Sequence, residues 1–85
     1  MRLWLNDEYY LQKEDIVGIF DMDSATVEPA TKTALRHFER EGRLTVATEE
    51  IPVSFVVTAG KEGKHLYLTR NAPRVLCRRA VRRGS

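Results

Sequence analysis

The chain has 85 residues, enough for one small domain with a thin core. It is 42% hydrophobic and 31% charged, which excludes a wholly disordered chain. A single cysteine excludes an internal disulfide and a self-sufficient zinc site, and no apolar run approaches a membrane span. Met1 is not followed by a charged start, apolar run and cleavage site, so the expected location is the cytoplasm. The net charge of +2 is unevenly spread. Residues 1–59 hold six Lys/Arg against eleven Asp/Glu, a balance of −5, whereas residues 60–85 hold eight against one, a balance of +7. The basic end has two natural acceptors: phosphate, or the acidic body of a neighbouring copy.

In chain order, "RLWL" and "EYYLQ" are short and rich in bulky apolar side chains, with Asn6–Glu8 as the turn of a hairpin. Trp4, Tyr9 and Tyr10 are expected in the core or a subunit interface, because Asp7, Glu8, Glu14 and Asp15 would repel a nucleic acid stacked on them. "DIVGIFD" is nearly continuous in apolar residues, as in a strand covered on both faces. Gly18 there leaves room for a close approach.

A helix follows. Ser24 or Thr26 can cap it, Glu28 suits its first turn, and Pro29 confines its start. Val27, Ala30, Thr31, Ala34, Leu35 and Phe38 form one apolar stripe, and Gly42 supplies the stop. "RLTVAT" from Arg43, "IPVSFVVT" from Ile51 and "HLYLTR" from His65 read as strands. Pro52 makes the second one irregular at its start, and "AGKEGK" is a hairpin tip. The chain ends in a helix over about residues 71–83, with Asn71 as cap and Pro73 in the first turn. At 100° per residue, Arg74, Arg78, Arg79, Arg82 and Arg83 fall on one half of it, with Val75 among them. Leu76, Cys77, Ala80 and Val81 take the other half, which makes Cys77 a small buried hydrophobe.

The order β-β-β-α-β-β-β-α predicts a single α+β domain over residues 1–85. Its sheet is small and antiparallel or mixed, with the first helix packed on one face and the last over an edge or in an interface. No catalytic set emerges, since Cys77, His37 and His65 have no fixed relation, so the chain reads as non-enzymatic with no small-molecule substrate. Asp21 and Asp23 lack the oxygen spacing of a calcium loop, and no cofactor or metal is expected. The sites that remain are Arg74, Arg78, Arg79, Arg82 and Arg83 as phosphate contacts on double-stranded DNA, with Lys61 and Lys64 at the periphery. The other reading is a scaffold or interaction module whose arginine helix pairs with acidic protein surfaces.

The stretch Asp15-Ile16-Val17-Gly18-Ile19-Phe20-Asp21, the helix end Glu39 to Gly42, and Ser54-Phe55-Val56-Val57-Thr58 resemble the RemA and RemB regulators of bacterial extracellular matrix genes. The RemB branch is the more similar, and the likeness runs from "LWLNDEYYL" to the basic C-terminus. The resemblance implies a DNA-binding regulator of matrix or biofilm genes, built as a homo-oligomeric ring, with a fold similar to LytTR-type DNA-binding domains. RemA-like members carry arginines where this chain has Glu14-Asp15 and Glu49-Glu50-Ile51-Pro52, so their contact residues do not carry over and the C-terminal helix takes that role here.

Overall fold

The computed structural model describes residues 2–6, 8–22 and 29–84, with side chains in the last helix described as far as Arg78. Strands β1 (Arg2–Trp4) and β2 (Tyr10–Gln12) form a two-stranded sheet. Strands β3 (Ile16–Asp21), β4 (Leu44–Val46), β5 (Ser54–Gly60) and β6 (Gly63–Thr69) form a second sheet in the order β3-β5-β6-β4. Helix α1 (Pro29–Arg40) links β3 to β4, and helix α2 (Pro73–Gly84) follows β6. The order of elements agrees with the alternation read from the sequence. The larger sheet is mixed, because β4 runs parallel to β6 while the other pairs are antiparallel.

The hairpin turn is built by Asn6, whose Oδ1 accepts from the backbone N–H groups of Glu8 and Tyr9 at 2.8 and 2.9 Å. This side-chain mimic of a turn is what short Asx residues do well. Asn6 Nδ2 donates to the carbonyl of Ala47 at 2.7 Å and ties the hairpin to the larger sheet. Helix α1 ends as Gly42 requires. With φ of 70°, Gly42 donates to the Glu39 carbonyl, and Arg43 donates to that of Phe38. That pair of bonds is the Schellman stop. The capping residues Ser24 and Thr26, with Asp23, Val27 and Glu28, lie outside the described residues.

The core lies between the hairpin, α2 and one face of the large sheet. Leu3, Leu5 and Leu11 from the hairpin meet Val56 of β5, Ala47 and Leu76 of α2, with Ile16, Ile19 and Tyr67 packed against them. Helix α2 therefore does not merely lie over an edge; through Leu76 it completes the core.

Four expectations are corrected. Trp4, Tyr9 and Tyr10 are exposed and so are not core residues of the single chain; the alternating leucines take the inner side of the hairpin and turn the Trp4 and Tyr10 rings outward. Strand β3 is not covered on both faces: it is an edge strand, with Val17 bulged out between the pairs Ile16↔Thr58 and Gly18↔Val57. No described residue of α1 is buried; Thr31, Leu35 and Phe38 are half-covered and Ala30 and Ala34 exposed, since the helix leans on the short edge strand β4. Cys77 is exposed, because α2 turns its Val75–Leu76 side inward.

Candidate nucleic-acid interface

Helix α2 is held at its start by three contacts. Ser54 Oγ donates to the carbonyl of Asn71, the N–H of Asn71 donates to Thr69 Oγ1, and Asn71 Nδ2 donates to the carbonyl of Leu5 at 2.5 Å. Asn71 is thus a strut to the hairpin instead of the helix cap. The first helical bonds are accepted by the Ala72 carbonyl from Val75 and Leu76. Leu76 is fully buried, while Arg74 and Arg78 are exposed on the same helix. A rigid core anchor thereby presents two guanidinium groups to solvent. The backbone of Arg79, Arg82 and Arg83 continues in α2, and their side chains lie outside the described residues.

Lys61 and Lys64 belong to a different place. They sit, exposed, at the tip of the β5–β6 hairpin, where Gly60 faces Gly63. Gly63 takes φ of 101° after a two-residue turn with no other positive φ, a turn suited to glycine. Helix α2 starts beyond the opposite end of the seven-residue β6, roughly 20 Å away at strand rise. The two basic groups are therefore separate surfaces.

Arg43, which the sequence pattern places only as the start of a strand, clips this tip. Its Nη1 donates to the carbonyls of Glu62 and Lys64 at 2.8 and 3.2 Å. The groove beside it, about 530 Å³, is lined by Asp15, Arg43, Lys61, His65 and Tyr67 among others. His65 shares a 2.8 Å hydrogen bond with Thr45 Oγ1 and lies 4.6 Å from the Tyr67 ring. Burial first, then the Arg43 guanidinium, hold His65 below the usual imidazole value of 6.5. Burial, then the Asp15 carboxylate, push the Tyr67 hydroxyl above 10.0. This site favours a neutral histidine with a hydrogen-bonding role.

Glu50 forms an ion pair with Arg70, both side chains being more than half exposed. A second groove, of about 640 Å³, runs past that pair and is lined by Asn6, Glu8, Tyr9, Thr48 and Glu49 among others. Among the described residues no three His, Cys, Asp or Glu gather where they could hold a metal ion. No described helix is long and apolar enough to cross a membrane.

Comparison with protein-family models and with curated proteins finds no match to this chain. The geometry of these surfaces is therefore the ground for the functional reading.

Proposed function

We propose that this chain is a non-enzymatic, cytoplasmic DNA-binding regulator of the RemB type, acting on extracellular matrix genes as a homo-oligomeric ring. The observation that carries the reading is the pairing of Leu76 with Arg74 and Arg78: one residue fixes α2 in the core while its neighbours face solvent. Arginines on a fixed helix suit bidentate phosphate contact. Arg79, Arg82 and Arg83 would extend that contact along the helix, with Lys61 and Lys64 as a second, separate one. Such contacts position a protein on DNA without reading bases, so specificity would come from DNA shape.

Self-association is supported by the sheet face away from the core. Its register places Phe20, Phe55, Leu68 and Val46 in one apolar row across all four strands. The row is open at both ends, with Phe20 43% and Val46 52% exposed, and Ile51, shortly before β5 in the chain, is 86% exposed. A small domain gains from covering such a row with a second copy.

The test is fluorescence anisotropy of a labelled duplex titrated with intact chain and with the variant Arg74→Gln/Arg78→Gln. Binding by the intact chain that weakens in the variant supports the reading. Absence of binding at low salt overturns it.

The scaffold reading has one observation of its own, the Arg70–Glu50 pair, in which an arginine of the basic end already meets an acid of the body.

A further inference from the structure

The outer face of the β1–β2 hairpin shows solvent an unusual set of side chains. Trp4 and Tyr10 are direct cross-strand partners there, with ring centroids 5.0 Å apart and exposures of 44% and 45%. The Arg2 guanidinium carbon lies 4.9 Å from the Tyr10 ring centroid, and Tyr9, at the turn just before β2, is exposed as well. Trp, Tyr and Arg are the residues that dominate protein–protein contacts. Tyr9 also lines the neighbouring groove, whose carboxylates are Glu8, Glu49 and Glu50.

We infer that this aromatic hairpin, whose turn residues Glu8 and Tyr9 line the acidic groove, receives the arginine-bearing helix α2 of a second copy of the chain. Charge favours it: the face belongs to the half of the chain with a balance of −5, and α2 to the half with +7. Both interactions that a docking arginine needs are already made within one chain. Arg2 stacks on Tyr10, and Arg70 pairs with Glu50. The contact has to be made between copies. In its own chain α2 lies beneath the hairpin, where Leu76 packs with Leu3, Leu5 and Leu11, on the side opposite Trp4 and Tyr10. A contact between two different surfaces is head-to-tail, and it closes into a ring or grows into a filament. The inference rests on the self-association in the proposed function and bears on its DNA contact, because both use the arginines of α2. Arginines seated here are withheld from phosphate, so docking and DNA would compete.

Trp4 is the chain's one tryptophan and reports on the site directly. The experiment titrates dilute intact chain with a synthetic peptide of residues 70–85 carrying Cys77→Ser, and follows Trp4 emission. The expected result is a saturable change that weakens about tenfold between roughly 0.05 and 0.5 M salt. The same peptide with its five helix arginines changed to Gln should give no change. Glu8→Gln/Glu49→Gln in the intact chain should weaken peptide binding by about threefold or more. An unmoved Trp4 emission, an equal response to the Gln peptide, or unchanged affinity in the Glu8/Glu49 variant would overturn the inference. So would a response to a short single-stranded oligonucleotide in place of the peptide, which would make the face a base-stacking site. Duplex binding measured by anisotropy is read separately. Loss of the peptide response with retained duplex binding sinks this inference alone.

Discussion

The ring of Phe20 lies over Gly18, two residues before it on the same edge strand. A Cβ at Gly18 would stand 2.7 Å from both Cε2 and Cζ of that ring, which also stacks on Phe55 at 5.1 Å. By strand propensity alone, Gly18→Ala would stabilise. Here it is expected to cost about 1 kcal/mol, because the ring has to leave its seat and part of its stacking. In a Phe20→Ala background the cost should vanish or change sign. Urea unfolding of the four-member mutant cycle measures that coupling. Equal costs in both backgrounds would refute the contact.

Leu76 and its neighbour Cys77 should behave as opposites. Leu76→Ala is expected to lose about 2–5 kcal/mol of unfolding free energy, as buried leucines do. Cys77→Ser, at an exposed position, should stay within about 0.5 kcal/mol of the parent. Chemical denaturation of the two variants distinguishes this helix orientation from one that buries Cys77.

Just before α2, Asn71 ties together β6, β5 and the hairpin through Thr69, Ser54 and Leu5. Asn71→Ala leaves the Leu5 carbonyl without this donor and should cost about 1–2 kcal/mol. If Asn71 were only a helix cap, Asn71→Ser would restore the stability. As a strut it should not, since serine is too short to reach Leu5. Amide exchange in the hairpin should rise in both variants.

His65 sets a pH dependence. Its folded value lies below 6.5, so the unfolded chain protonates first as pH falls. The unfolded state then holds more protons, and stability rises with pH in that window. The contribution is full above about pH 6.5 and declines below it, down to the lowered folded value. The urea midpoint should therefore fall between about pH 7.5 and 5.5, by less in His65→Gln than in the parent. An equal fall in both chains would assign the pH effect to other groups.

These residues also show what the sequence carried and where it stopped. Asn6 and Gly42 act through local chemistry, and the turn and the stop fall where that chemistry put them. The alternation of Leu3, Leu5 and Leu11 with Trp4 and Tyr10 gave two faces. Period alone does not say which one meets the core, and aromatic bulk does not separate a core face from one open to another chain. The same ambiguity affects β5, where Ser54, Val56 and Thr58 are buried together with Phe55. The apolar run of β3 did not reveal an edge position, because strand order is decided by pairing partners distant in sequence. For the candidate site, the exposure of Arg74 and Arg78 and of the two lysines was legible from helical period and hairpin chemistry. Their separation onto opposite ends of β6 was not, nor was the grip of Arg43 on the tip, since both depend on register.

The central claim is that exposed arginines of α2 hold DNA by its phosphates, and its most direct measurement is the salt dependence of duplex affinity. For the intact chain, the logarithm of the binding constant should fall linearly with the logarithm of salt concentration. In Arg74→Gln/Arg78→Gln the slope should shrink by about 2, close to 0.9 for each phosphate that is no longer neutralised. An unchanged slope with unchanged affinity would contradict the claim and assign these arginines to contacts between protein chains.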